Sequence, residues 1–330
     1  MGNAAFRELG VLTDIDDSDM SGSIVAVDAS NWLYKYLYNT VKFNNESIYT
    51  TPEGEELPNL IATIVGLNKF FEHDITPIFV FDGKPHDLKA AELESRRETR
   101  EKAEQKKKEA RKEGDEIKAS GYEARSIGLS GDITETTKEL LERLDIPYIT
   151  APRAAEAQAA RMCSEGVVQY VISDDYDTMM FGAPSTVRNF TSASRQLELM
   201  DLPATLERHE LTQKQLVEVG LLCGTDYNEG VKGIGPKTGV KFIKEYDDLE
   251  GVLEAKDAHI ENFESVRAIF LNQEKSTDAI EDIETAINPD FSGAWSYITD
   301  NWGLEESDKV TKAFETLKTY FEQPGLDRWT

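Results

Sequence analysis

The chain has 330 residues, 39% of them hydrophobic and 30% charged, with a formal net charge of -26. That length accommodates a main α/β core plus one substantial insertion or smaller lobe, and the apolar content excludes a disordered chain. No apolar run approaches the roughly 20 residues that span a bilayer, no basic-then-apolar leader opens the chain, and scattered His73, His86, His209 and His259 with only Cys163 and Cys223 disfavour a zinc site.

A cytoplasmic protein with no membrane partner is expected, and any metal should be one that prefers oxygen. The acids are spread over the whole chain, as on a surface adapted to molar salt. Met1 to Gly22 reads as a mixed opening with an acidic loop at Asp14-Ile15-Asp16-Asp17. Ser23-Ile24-Val25-Ala26-Val27 then reads as a strand running into Asp28, followed by a helix-like run with Trp32, Leu33, Tyr34, Tyr36 and Leu37. Turn chemistry at Thr50 to Gly54 precedes an amphipathic helix carrying Leu60, Ile64, Leu67 and Phe71. Pro77-Ile78-Phe79-Val80-Phe81 runs into Asp82-Gly83 and closes a strand-helix-strand unit.

After Gly83-Lys84-Pro85 the character changes. Between Arg96 and Lys112 stand nine cations against four acids, a local net of +5, so the remainder carries -31. With almost no apolar residue in the run, no face of it is expected in the core. A solvated helix with i,i+4 pairs and a phosphate-contacting helix both fit this pattern; its place just after Asp82 favours phosphate. Gly114, Gly121, Gly128 and Gly131 punctuate the return.

Asp132 to Asp145 reads as a helix, Pro147 to Thr150 as a strand, and Arg153 to Met162 as an alanine-rich helix bearing Glu156. Tyr170-Val171-Ile172 is a buried strand end that breaks into Ser173-Asp174-Asp175-Tyr176-Asp177. Such acids serve equally as a helix N-cap or as ligands of one hard cation at the carboxyl edge of a parallel sheet. Four strand-like runs delivering acids to one rim favour the cation. Thr186 to Phe190 and Gln196 to Leu202 read as further strands, and Thr212 to Leu222 as a helix reaching Gly224-Thr225-Asp226-Tyr227. In Val231-Lys232-Gly233-Ile234-Gly235-Pro236-Lys237 the glycines make a tight turn before a helix, where backbone N–H groups can hold a phosphate. Val310, Phe314, Leu317 and Phe321 mark an amphipathic helix near the end.

Taken together, Val27-Asp28-Ala29-Ser30, Phe81-Asp82-Gly83-Lys84-Pro85, Ala151-Pro152 with Ala155-Glu156-Ala157, Asp175-Tyr176-Asp177, Gly224-Thr225-Asp226-Tyr227 and Gly233-Ile234-Gly235-Pro236-Lys237 resemble the flap endonucleases of the structure-specific 5′ nuclease family. With the dispersed acid, the resemblance is to an archaeal-type member from a halophile. It implies an α/β fold with a mostly parallel central sheet flanked by helices, a helical arch insertion and a helix-hairpin-helix DNA-binding element. The implied division is a nuclease core in 1–83 and 132–322, the arch at 84–131, the helix-hairpin-helix at about 212–246, and a tail at 323–330.

The resemblance further implies a Mg²⁺-dependent enzyme with two ions, for which Mn²⁺ substitutes, held by Asp28, Asp82, Glu156, Asp175, Asp177 and Asp226. Lys89 and Arg96 would polarise the scissile phosphate, and Tyr34, Arg97, Arg100, Lys232, Gly233, Gly235 and Lys237 would contact branched DNA with a 5′ flap. Gln323, Leu326 and Trp329 resemble a sliding clamp (PCNA) peptide, with Thr330 in place of its last aromatic. One departure stands out: the family pattern is Glu-x-Glu, and Ala154 occupies the first position. A weakened nuclease is therefore expected, the alternatives being a DNA-junction binding protein without turnover or a related 5′ nuclease acting on bubbles or nicks.

Overall fold

Runs of β-branched and aromatic residues ending in an acid form the centre of the computed structural model, which describes residues 4–44, 46–113, 115, 118, 122, 131–192, 194–272, 285–304 and 308–322. The strands are β1 (Val11–Ile15), β2 (Ile24–Asp28), β3 (Thr76–Phe81), β4 (Tyr148–Thr150), β5 (Tyr170–Ile172), β6 (Ser185–Arg188) and β7 (Leu197–Asp201). They form one sheet in the order β1-β7-β6-β5-β2-β3-β4. The five strands from β6 to β4 in that order are mutually parallel, and β7 and β1 add antiparallel at one edge.

The helices are α1 (Ala29–Phe43), α2 (Pro58–Glu72), α3 (Ala90–Lys112), α4 (Gly131–Arg143), α5 (Ala155–Ser164) and α6 (Asp177–Met180). They continue with α7 (Leu202–His209), α8 (Gln213–Cys223), α9 (Pro236–Tyr246), α10 (Leu249–Lys256), α11 (Phe263–Leu271), α12 (Phe291–Ser296) and α13 (Asp308–Glu322). Among the described residues no helix is long and apolar enough to cross a membrane.

Because side chains alternate across a strand, each central strand feeds two cores. Val25, Val27, Phe79 and Phe81 join Trp32, Leu33, Leu67 and Phe70 of α1 and α2. Ala26, Ile78 and Val80 face the opposite layer, with Ala155 and Ala159 of α5 and Leu216 and Val217 of α8. The amphipathic α13 buries Val310, Phe314 and Leu317, and its Phe321 ring lies 4.8 Å from that of Phe71 on α2.

Two expectations are corrected. Asp14 and Ile15 do not lie in a loop: they end the edge strand β1, whose backbone pairs with β7 in the register Val11 to Asp201 through Ile15 to Leu197. The backbone ladder outweighs the low strand propensity of aspartate. The basic helix also is not solvated all round, since Ala103, Lys107 and Ala110 of α3 are buried. Alanine needs little apolar partner surface, and a lysine stem buries its methylenes while carrying its charge outward.

Candidate active site

The parallel register aligns Val27 with Phe79 and with Ile172, and Phe81 with Thr150, so four strands deliver the residues just beyond their carboxyl ends to one edge. Asp28 closes β2 and caps α1, with Oδ1 accepting from the Asn31 amide at 3.0 Å. Its Oδ2 accepts from the Ser173 hydroxyl at 2.9 Å. That hydroxyl oxygen accepts from the Asp175 amide at 3.1 Å, and Asp175 Oδ1 accepts from the Asp177 amide at 3.0 Å. A continuous relay therefore fixes the acidic turn after β5 against the end of β2. Asp82, just after β3, accepts from the Ala155 amide at 2.9 Å and from the Ser30 hydroxyl at 2.5 Å. It caps α5 in place of Ala154, the N-cap residue, which has no side-chain acceptor. Gly83 makes this possible by close approach: a Cβ there would stand 2.0 Å from the Ala151 carbonyl oxygen.

The electrostatics result from packing acids together out of water. Burial, then the charge of Asp82, pushes the Asp28 carboxyl up to about 7. Glu156 is held well above the ordinary carboxylate range by burial and then by Asp28, Asp82 and Asp175. Asp226 is the opposite case: burial would raise it, but Lys89 and Arg96 outweigh that and hold it low. Its Oδ2 lies 3.1 Å from Lys89 Nζ and 2.9 Å from Arg96 Nη2. The same anion, with Glu156, outweighs the burial of Lys89 and keeps it firmly charged.

Of the six expected acids, Asp28, Asp82, Glu156 and Asp175 repel one another at the strand edge, while Asp226 is engaged by cations at the start of α3. Asp177 begins α6, and its charge acts on the half-buried Tyr227. As they stand, no three of the described residues close into a finished metal cage. Asp28, Asp82, Glu156 and Asp175 open instead onto a cleft of about 860 Å³, lined also by Tyr34, Lys89, Arg96, Arg100 and the half-buried Ala154, whereas Asp177 and Asp226 are not among its lining residues.

Other expected residues lie elsewhere. Arg97 pairs with Glu101 at 3.0 Å on the exposed face of α3. Lys232, Gly233 and Gly235 are exposed in the turn before α9, where Gly233 takes φ of 87° and Gly235 is the N-cap. Lys237 in the first turn of α9 pairs with Glu8 at 3.2 Å. Gln323, Leu326 and Trp329 lie outside the described residues.

Sequence reasoning missed Ser30, whose hydroxyl donates to Asp82, Ser173, whose hydroxyl links Asp28 to the Asp175 amide, and Gln158, which lines the cleft. It missed Arg188 as well, stacked on Tyr176 behind the acidic turn with its guanidinium carbon 3.8 Å from the ring centre. Adjacency to Asp28 and Asp175 could have flagged the two serines. The cleft wall contributed by Ala268, Ile269 and Asn272 at α11 carries no signal in the sequence.

Comparison with known proteins agrees with this architecture. Residues 6–103 match the XPG N-terminal domain and residues 145–226 the XPG I-region. A parallel sheet with an acidic carboxyl edge beside a basic helix, in those two regions, defines a nuclease of the XPG class. The flap endonuclease 1 of Haloquadratum walsbyi is 49% identical over 329 residues and that of Haloarcula marismortui 48%, each match spanning the full length of both chains. The flap endonuclease-1 structure from Methanococcus jannaschii superposes with a TM-score of 0.74 at 33% identity, covering 96% of this chain and 98% of that one. The chain belongs to the flap endonuclease 1 family, and its haloarchaeal relatives accord with its dispersed acid. The catalytic core of Rad2 in complex with DNA substrate shares the fold, with a TM-score of 0.68 at 22% identity, covering 95% of this chain and 97% of that one.

Proposed function

We propose that this chain hydrolyses phosphodiesters where a 5′ single-stranded flap leaves duplex DNA, using divalent cations held at the carboxylate edge. The observation that carries this reading is the charge separation across the cleft: Asp28 and Glu156 burdened by mutual repulsion on one side, Lys89 and Arg96 on the other. The residues fit Mg²⁺, or Mn²⁺ in its place, because every donor is an oxygen and buried like charges are relieved by a hard cation. Asp28, Asp82, Glu156, Asp175, Asp177 and Asp226 would hold it. Two such ions would supply an activated water and neutralise charge at the scissile phosphate.

The chain's own residues do the rest. Lys89 and Arg96 are already charged and paired to an anion, so a phosphate entering the cleft takes over the contacts now made by Asp226. Tyr34 presents an aromatic face for stacking on a base without sequence preference. Arg97 and Arg100 of α3 and the turn with Lys232, Gly233, Gly235 and Lys237 are proposed to grip the backbone, with 84–131 as the arch that selects the 5′ strand. The tail with Gln323, Leu326 and Trp329 would tether the enzyme to a sliding clamp in the cytoplasm of a halophile.

Ala154 favours a second reading, a junction binder with little turnover, because a glutamate there would add an oxygen donor to the cleft wall. A labelled double-flap cleavage assay with Mg²⁺ and a chelator control, run beside Ala154→Glu, separates the two. Metal-dependent cleavage rising by about two orders of magnitude or more in the variant is expected. Equal rates would remove the assignment of position 154, and binding without cleavage in both proteins would favour the junction binder.

A further inference from the structure

The side-chain amide nitrogen of Gln158, Nε2, is buried without a hydrogen-bond partner among the described residues, and the residue is only 3% exposed. It lines the same cleft as Glu156 and Asp175. Burying an amide without a partner is unfavourable, so a lone buried amide at the wall of a cleft asks for a ligand. Its position on α5 says which one. Gln158 is four residues after Ala154, and its backbone N–H donates to the Ala154 carbonyl oxygen at 3.3 Å, so the two share one face of the helix. Helical side chains lean toward the N-terminus and cover the turn before their own Cα. The amide thus leans over the place that a longer side chain at 154 would occupy. Nε2 is a donor and cannot face a cation, but no hydrogen bond holds it in place, so a half-turn about Cγ–Cδ exchanges it with the acceptor Oε1.

We infer that Gln158 supplies a neutral oxygen, directly or through a cation-held water, to the divalent-cation site beside Glu156, and so partly replaces the donor that Ala154 withholds. Amide carbonyls are accepted ligands of hard divalent cations, though weaker than carboxylates. The inference rests on the reading of the carboxylate edge as a metal site.

The test is calorimetric titration of Mn²⁺ into the metal-stripped full chain, with and without Gln158→Leu, in the Ala154 background and in that of Ala154→Glu. Gln158→Leu should weaken Mn²⁺ binding about ten-fold in the first background and less than about two-fold in the second, a non-additivity expected of residues sharing one site. The near-isosteric Gln158→Glu, which preserves packing if the leucine variant fails to fold, should tighten Mn²⁺ binding about ten-fold. Binding indifferent to both substitutions, or weakened equally in both backgrounds, overturns the role of Gln158 alone. No Mn²⁺ binding in either parent background overturns the metal reading and this inference together.

Discussion

Arg188→Met should loosen the acidic turn from behind. Arg188 is 7% exposed, its guanidinium donates to Glu198 at 3.1 Å, to the Asp174 carbonyl oxygen at 3.1 Å and to the Tyr176 hydroxyl, and it stacks on the Tyr176 ring. Methionine keeps most of the volume and removes the charge and the donors. Removing one partner of a buried ion pair costs about 3–5 kcal/mol. Arg7 still reaches Glu198 at 2.5 Å from a half-exposed position, which reduces the expected loss to about 2–4 kcal/mol. The melting temperature should fall by on the order of 5 °C. Because Arg188 anchors Asp174 and Tyr176, the neighbours of Asp175 and Asp177, Mn²⁺ affinity should also drop, and Arg188→Lys should lie between the parent and Arg188→Met. Urea unfolding in molar KCl, followed by tryptophan fluorescence, measures the first effect, and Mn²⁺ titration the second. A loss under about 0.5 kcal/mol, as for an ordinary surface site, would refute the anchoring role.

Gly83→Ala should destabilise by about 3 kcal/mol or more, since the added Cβ meets backbone oxygen at 2.0 Å and at 2.8 Å rather than a movable side chain; a urea midpoint equal to the parent's would contradict the close approach. Phe314→Ala should cost about 3–5 kcal/mol, because the ring is buried 5.7 Å from Phe291 and 5.0 Å from Trp295; unchanged unfolding would show that α13 docks without it. In pH, Asp28 is raised from 3.8 to about 7 by burial and then by Asp82. The folded chain therefore keeps a proton that the unfolded chain releases, and metal-free protein should lose stability as pH climbs from about 4 to about 7 and level off above. Saturating Mg²⁺ should flatten that slope, and a metal-free profile that rises with pH over this range would reverse the sign and refute the burial argument.

The strand ends at Asp28, Asp82 and Ile172 were legible because a buried parallel strand is a continuous apolar run, and an acid at its end breaks the pattern visibly. The edge strand β1 was not, because Val11 to Ile15 mixes apolar and polar residues and sets Asp14 directly across from Glu198, a like-charge pair that propensity argues against. Arg7 and Arg188 offset it, yet they are 191 and 10 positions from Glu198 in sequence. The two-sided environment of the site acids was hidden for the same reason: Asp226 meets Arg96 across 130 positions, and only the fold sets one against the other.

On the proposed role of Lys89 and Arg96, their contact with Asp226 gives the resting cleft an internal stand-in for the substrate phosphate. A phosphate arriving there swaps one anion for another, so fewer small ions are set free than a tally of basic side chains would suggest, and the dependence of DNA affinity on KCl should be correspondingly shallow. For a chain with a net charge of -26, that exchange would make recognition tolerant of brine.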